Sequence, residues 1–227
     1  MLIEGDTERI LLPTIMKKID IEEAATHETA GTKDLPLMSQ NISVVEVGAY
    51  SHIFELFIDF LGLKTLIITD LDAVGADDKA CRVADGIEYS NVAIKYFLGA
   101  PTLNLLKDYT LEDKIRAKVG GIWAKQPNGN LCIVYQISEN GYSARSFEDA
   151  FIHLNRTFVS NNKDKFRGLK NREYFDVPGN DAYYLANNCI NKKTHFALDL
   201  LYYSNAKLDN WIIPSYIRES ILWLKHD

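Results

Sequence analysis

The stretch that decides the fold is an apolar, β-branched run ending in two acids, Thr65-Leu66-Ile67-Ile68-Thr69-Asp70-Leu71-Asp72. A continuous run of this kind is typical of a strand buried on both faces of a parallel sheet. In open α/β sheets, functional groups collect just past the carboxyl ends of such strands. Asp70 and Asp72 stand at that position, and they alternate so that both can reach one point above the sheet.

Two further segments repeat the order of apolar strand and then acids. In the first, Gly5 permits a sharp turn from the strand into a helix. These segments contribute Glu4 and Glu8 after residues 2–3, and Glu148 and Asp149 after residues 131–137. The pattern predicts an α/β fold with a mainly parallel sheet flanked by helices.

Six carboxylates at one sheet edge would repel one another unless cations neutralised them. A hard divalent ion with oxygen ligands, Mg²⁺ or Mn²⁺, is the simplest neutraliser. Taken singly, the acids have simpler explanations: an acidic pair at a helix start compensates the helix dipole, and Glu4 and Glu8 could be solvated. Asp70 and Asp72 are harder to explain without a site, because an apolar strand has little structural need for both.

The composition is that of a soluble globular protein, with 227 residues, 47% hydrophobic and 25% charged. Its net charge of −6 argues against binding nucleic acid through bulk charge. Residues 163–172 are an exception, since they hold five basic residues and one acid. This basic strip could contact DNA phosphates or be a solvated loop; its cations are Lys163, Lys165, Arg167, Lys170 and Arg172.

Several classes of protein are excluded by simple counts. The apolar runs are too short for a membrane span, and no signal peptide precedes them. Three widely spaced cysteines form neither a disulfide framework nor a metal knuckle, and the histidines lack the spacing of a zinc site. We expect a cytoplasmic protein with no membrane partner.

The remaining pattern alternates strands and helices. The first helix contains Pro13, which should kink it or mark a restart, and residues 22–41 predict a loop. Residues 76–120 predict a helical insertion, in which a second helix begins at Thr110. Other predicted elements are a strand over 42–47 and helices over 51–61, 91–98, 146–159, 181–190, 194–204 and 215–225. We predict a catalytic core over residues 1–160 and a helical C-terminal region over 161–227.

These motifs resemble a known family. Residues 2–8 and 66–72 look like the two motifs of a Toprim domain, the metal-binding fold of topoisomerases, bacterial primases and certain nucleases. The finer detail is similar to the OLD (overcoming lysogenization defect) family of ATP-dependent endonucleases, from residue 2 to about residue 204. The segments that carry this similarity are residues 4–13, 69–75, 145–151 and 193–198.

The resemblance implies a DNA endonuclease that uses two Mg²⁺ or Mn²⁺ ions. By analogy, Asp70 and Asp72 would hold one ion, while Glu8 with Glu148 or Asp149 would hold the other. Glu4 would bind metal or orient the attacking water. Lys193 would act at the scissile phosphate, although its neighbour Lys192 leaves that choice open. Arg145 would clamp a phosphate or pair with a nearby acid.

The family also implies a parent protein with an N-terminal ABC-type ATPase, an architecture that the Gabija antiphage nuclease shares. We expect that domain to be absent here, because no GxxxxGK[ST] loop occurs in the sequence. Two other interpretations stay open. One is a haloacid-dehalogenase-like phosphatase with Asp70 as nucleophile and Asp72 as acid/base, and the other is a catalytically silent Toprim module used for assembly. Whether the chain forms a homodimer is also open.

Overall fold

The computed structural model describes residues 1–30 and 35–225. Its strands are β1 (Leu2–Ile3), β2 (Val45–Glu46), β3 (Thr65–Ile68), β4 (Ala73–Val74), β5 (Glu88–Tyr89), β6 (Ile115–Val119), β7 (Ile122–Lys125), β8 (Leu131–Val134), β9 (Ser138–Glu139) and β10 (Tyr142–Ser143). Its α-helices are α1 (Asp6–Ala30), α2 (Glu55–Leu61), α3 (Val92–Leu98), α4 (Leu103–Asp108), α5 (Phe147–Leu154), α6 (Arg156–Asn162), α7 (Ala182–Cys189), α8 (Lys193–Tyr202) and α9 (Ser215–Lys225).

The central sheet has six strands in the order β2-β1-β3-β8-β6-β7. The first four strands are parallel, and β6 and β7 are antiparallel additions at one edge. Ile3 pairs with Ile68, and Ile68 with Val134, so β1, β3 and β8 end at the same level. The predicted mainly parallel α/β fold is confirmed, and the residues after these three strands share one sheet edge.

The chain packs as two units, each made of segments that are distant in sequence. Unit 1 comprises Met1–Glu4, Val45–Ala150 and Pro214–Asp227 and contains every described strand. Unit 2 comprises Gly5–Val44 and Phe151–Ile213 and is helical in its described part. These two units do not correspond to the predicted division into residues 1–160 and 161–227. That division concerns domain organisation and stays a prediction.

Each unit has its own apolar core. In unit 1, α9 packs against β3 and β8, and Ile67, Ile133 and Phe97 are buried. In unit 2, α1 packs against α8, and Phe196 lies between the rings of Phe151 and Phe166. No helix in the described part of the chain is long and apolar enough to cross a membrane.

The first helix is much longer than predicted. Helix α1 continues through Pro13 to Ala30, so the loop predicted for residues 22–41 is wrong over its first part; residues 31–34 lie outside the described residues. After the helix, the backbone N–H groups of Leu37 and Met38 donate to the Asp20 carboxylate at 2.6 and 2.9 Å. Packing against α8 supports the helix where its local sequence pattern is weak.

The helix predicted to begin at Thr110 is also wrong. Thr110 and Asp113 do form reciprocal side-chain to backbone bonds like those of a helix start, but only one 3₁₀ turn follows. The chain then enters β6 and returns along β7 through Gly120-Gly121, whose φ angles are +59° and +85°. This glycine pair is a hairpin signal that the prediction of a helix overlooked.

Of the other helix predictions, two are only partly right. The helix predicted over 51–61 begins as α-helix at Glu55, because residues 48–54 form a 3₁₀ segment, and the helix predicted over 146–159 is interrupted. Helix α3 begins after Asn91, whose side chain accepts from Ile94 N–H, and ends at Gly99 with φ of +76°. Helices α7, α8 and α9 lie where they were predicted. The helix predicted over 146–159 breaks into α5 and α6 at Asn155, which has a φ of −121° and whose side chain donates to the Ile212 carbonyl and accepts from Ile212 N–H.

Candidate active site

Glu4 and Asp70 are joined at the carboxyl ends of β1 and β3. Oε2 of Glu4 accepts from the Thr69 hydroxyl at 2.6 Å and from the Asp70 backbone N–H at 3.0 Å. Both residues belong to unit 1, and the parallel pairing of β1 with β3 sets their spacing. The structure therefore brings together two of the predicted acids and fixes the orientation of the Glu4 carboxylate.

Two amide side chains that were not predicted as site residues hold this edge in place. Gln136, which follows β8, donates to Asp70 Oδ1 at 2.6 Å and accepts from Leu71 N–H at 2.8 Å. Asn91 donates to the Thr69 hydroxyl at 2.7 Å and to the Asp70 carbonyl at 2.9 Å. Gln136 could have been noticed, since it is a polar residue ending an apolar strand in line with Asp70.

Asp72 pairs with Arg145. The guanidinium of Arg145 lies 2.7 Å from Asp72 Oδ1, and its Nε donates to the Ala73 carbonyl at 3.1 Å. Of the two alternatives for Arg145, the structure shows the pairing with a neighbouring acid. A role as a phosphate clamp stays a prediction and would require Arg145 to share its charge between Asp72 and DNA.

Asp149 is engaged in the start of helix α5. Its Oδ1 accepts from the backbone and hydroxyl of Ser146 at 2.6 and 2.8 Å, and its Oδ2 accepts from Arg145 N–H and the Tyr142 hydroxyl. The bond from Ser146 N–H to Asp149 is one half of a capping box, in which the side chain of the third helical residue accepts from the N-cap backbone. Burial raises the pKa of Asp149, while these hydrogen bonds oppose the rise by favouring the carboxylate. Its metal role stays a prediction, since both oxygens already have partners.

The N-terminal end of helix α5, where Asp149 accepts from Ser146, also donates a hydrogen bond to Asp70. The backbone N–H of Phe147 donates to Asp70 Oδ1 at 3.0 Å, so the first turn of α5 lies against the acid that follows β3. Glu148 is the next residue of this turn and is buried. In unit 1, Asp70 is therefore hydrogen-bonded to the first turn of α5, which carries Glu148 and Asp149.

Glu8 and Lys193 belong to unit 2. Glu8 is nearly buried in the first turn of α1, and a side chain added at Gly5 would contact its carboxylate. Helix α8 begins at Lys193, and the next residue, Thr194, donates to Asp6 at 3.4 Å. Within unit 2, Lys193 and Glu8 therefore lie at the adjoining N-terminal ends of α8 and α1.

The five cations of the basic strip have different environments in unit 2. Lys163 forms an ion pair with Asp176, and Arg172 donates to the Phe166 carbonyl. Lys165, Arg167 and Lys170 are exposed, and the Lys165 ammonium lies 5.9 Å from the centre of the Tyr203 ring. The three exposed cations are the ones available to a partner.

Some carboxylate oxygens of unit 1 are suited to a divalent ion. Glu4 Oε1 and Asp72 Oδ2 have no hydrogen-bond partner among the described residues, and carboxylate oxygens suit Mg²⁺ or Mn²⁺. Across residues 1–30 and 35–225, however, no three His, Cys, Asp or Glu side chains are grouped closely enough to hold one ion. The site supplies suitable ligands without a closed cluster, and Mg²⁺ commonly completes its shell with water and substrate oxygens.

The acids after β1 and β3 of the mainly parallel sheet lie in the part of the chain that matches a Toprim family model. The family described as "Overcoming lysogenization defect protein-like, TOPRIM domain" matches residues 1–72. Endonuclease GajA of Bacillus cereus (strain HuB5-5) is 27% identical over 194 residues, which cover 81% of this chain. The predicted similarity to the C-terminal Toprim region of the OLD family is therefore confirmed.

The relative is considerably longer than this chain, which spans 27% of the length of endonuclease GajA. Among solved structures, the chain aligns with the C-terminal region of the Burkholderia pseudomallei OLD protein. That alignment has a TM-score of 0.47 and 20% identity, and it covers 99% of this chain and 95% of the other.

Proposed function

We propose that this chain is the nuclease region of an OLD-type endonuclease and hydrolyses phosphodiester bonds in DNA with divalent metal ions. The observation that carries the proposal is the joined pair Glu4 and Asp70. Both carboxylates accept structural hydrogen bonds, and both remain partly exposed at the ends of adjacent parallel strands, where their oxygens can act as metal ligands. The similarity to a family of endonucleases supports the same conclusion.

The residues proposed to hold the ions are Glu4, Glu8, Asp70, Asp72, Glu148 and Asp149. Two bound Mg²⁺ or Mn²⁺ ions would supply an activated water and stabilise the leaving oxygen. In this chain, Glu4 is oriented for such a role by Thr69, and Asp70 by Gln136. Lys193 is proposed to place its charge at the scissile phosphate, and Lys192 is the alternative.

The proposed substrate is DNA, bound without sequence readout through backbone phosphates. The exposed cations Lys165, Arg167 and Lys170 support this contact, since an acidic protein needs a local positive surface to hold DNA. Lys163 and Arg172, which were predicted with them to contact DNA, are proposed to contribute less, because they are bound to Asp176 and to the Phe166 carbonyl. From the family resemblance we also propose an N-terminal ABC-type ATPase as the partner domain in the parent protein and a role in antiphage defence. The proposed location is the cytoplasm, as the spacing of the cysteines suggests.

The test is cleavage of supercoiled plasmid by the purified chain. We expect nicked or linear product with Mg²⁺ or Mn²⁺, none in excess chelator, and none with Asp70→Ala or Asp72→Ala at equal folded content. A phosphate-monoester substrate runs in parallel. Phosphate release with intact plasmid would favour the phosphatase alternative. Absence of both activities with every metal would favour the silent assembly module.

A further inference from the structure

Helix α2 and the residues on either side of it expose a row of large apolar side chains in unit 1. Leu56 and Phe60 are 77% and 86% exposed. The row continues on both sides along the same segment. We call these exposed residues the α2 stripe; its members are Ile53, Leu56, Phe57, Phe60, Leu61 and Leu63.

The spacing of the α2 stripe is that of a helix face made for burial. Within α2, the apolar residues Leu56, Phe57, Phe60 and Leu61 have the spacing that normally faces a protein core, and Ile53 precedes them in the 3₁₀ segment. A stripe with this spacing on the surface of a soluble protein calls for a covering partner, whereas single exposed apolar residues do not.

The attachment of α2 to its own unit uses the other side of the helix. Ile58 is buried, and Glu55 accepts from Tyr96 and from Trp123 Nε1. The Lys118 ammonium lies 3.0 Å from both the Glu55 and the Asp59 carboxylates. The helix is therefore held by one buried apolar side chain and a polar cluster, which leaves the α2 stripe to face outward.

The exposed area of the α2 stripe matches what one side of a stable interface needs. Taking about 200 Å² for a fully exposed large apolar side chain, its six members present roughly 750 Å². The largest apolar patch on a typical monomer is about 300–600 Å². One partner in a standard protein–protein interface contributes about 800 Å².

We propose that the α2 stripe is a dimer interface and that its occupant is the same stripe of a second copy of this chain. The charges that border it, Glu55, Asp59 and Lys118, already neutralise one another, so they neither repel a second copy nor select an acidic or basic partner. A two-fold interface uses one self-complementary patch on both subunits, and an apolar helix face of this size meets that requirement.

The test is sedimentation equilibrium of the purified chain from low to high micromolar concentration, without DNA or metal. We expect a monomer–dimer equilibrium in the wild type. Phe60→Glu should raise the dimer dissociation constant at least about 30-fold, the effect of removing a central apolar side chain from an interface. Leu56→Gln, which adds no charge, should raise it in the same direction.

The matched control is Tyr202→Glu, which places the same charge on an aromatic residue of similar exposure, 81%, in helix α8 of unit 2. Its dissociation constant should equal that of the wild type, and circular dichroism should show unchanged helix content in all three variants. A wild type that stays monomeric at every concentration would overturn the proposal. A dimer whose dissociation constant is unchanged by Phe60→Glu and Leu56→Gln would also overturn it.

Discussion

The carboxylate of Asp72 and the guanidinium of Arg145 form an ion pair at 2.7 Å, and the backbone N–H of Asp72 donates to the Arg145 carbonyl at 3.3 Å. Asp72 has a φ of +56°, a left-handed conformation that is uncommon for residues other than glycine. Two bonds to one residue hold Asp72 in that conformation. Arg145 thus positions an acid that is proposed to bind metal.

Replacing Arg145 should destabilise the fold. Arg145→Ala removes a partly buried ion pair and the bond to the Ala73 carbonyl, so we expect the free energy of unfolding to fall by about 1–3 kcal/mol in urea denaturation. The control is Arg9→Ala, which removes an ion pair with Asp6 in which both side chains are about half exposed and should leave stability unchanged. Equal effects of the two variants would contradict a positioning role for Arg145.

Metal binding should depend on the charge of Asp70. Asp70→Asn can keep an oxygen acceptor for Gln136 and Phe147 while removing the negative charge, so the fold should persist and Mn²⁺ affinity should fall by more than about tenfold in calorimetric titration. Asp113→Asn is the control, because Asp113 pairs with Lys125 and is outside the proposed ligand set. Unchanged Mn²⁺ affinity in Asp70→Asn would remove Asp70 from the ligands.

A buried lysine should make stability depend on pH. Burial lowers the pKa of Lys114 from 10.5 to about 8, and its ammonium lies 4.2 Å from the centre of the Tyr135 ring. Between pH 8 and 10.5 the unfolded chain binds more protons at this site, so its contribution to the free energy of unfolding rises with pH. Below pH 8 Lys114 is charged in both states, and its burial lowers the free energy of unfolding by about 3 kcal/mol.

Lys114→Met should therefore raise the free energy of unfolding by about 1–3 kcal/mol at pH 7, after the missing cation–π attraction to Tyr135 is deducted. The difference between variant and wild type should shrink from pH 8 to pH 10.5. Cys132 gives the opposite trend at higher pH, because burial raises the pKa of its thiol to about 12. The Lys114 charge lowers that pKa, so the comparison of the two proteins is most direct below pH 9. Lys118→Met is the control: Asp59 and Glu55 raise the pKa of Lys118, so this variant should lose stability.

The exposed part of the basic strip should set the salt dependence of DNA binding. Replacing Lys165, Arg167 and Lys170 with Ala should reduce the slope of log K against log salt by at most about 0.9 for each phosphate that is no longer neutralised. Lys163→Ala should leave the slope unchanged, because Lys163 is paired with Asp176. The measurement is fluorescence anisotropy over a salt series, and an identical slope in the triple variant would show that the strip is a solvated loop.

Lys193 should matter for the chemical step more than for binding. A cation at the scissile phosphate stabilises charge that grows in the transition state, so Lys193→Ala should lower the single-turnover cleavage rate by about 10²–10³. DNA affinity and metal occupancy should stay near wild type, and Lys192→Ala should be nearly silent. The reverse result would assign the role to Lys192, and two active variants would exclude both residues from the chemistry.

The sequence by itself determined the elements whose signals are local. The apolar run before Asp70 predicts a buried strand, Asn91 and Gly99 bound helix α3 by their own side-chain and backbone preferences, and Pro214 precedes helix α9. The acids after β1 and β3 could be predicted as neighbours because parallel strands end at one edge. Such signals need no knowledge of distant residues.

Only the tertiary structure decided how those residues are used. Asp149 accepts hydrogen bonds at the start of α5, Asp72 is bound by Arg145, and Asp70 is oriented by Gln136, 66 positions away. The segment after Thr110 carries a helix-start pattern, yet it forms β6 because its backbone pairs with both β7 and β8. A local preference contributes about 1 kcal/mol, and the pairing of a whole strand with two neighbours outweighs it.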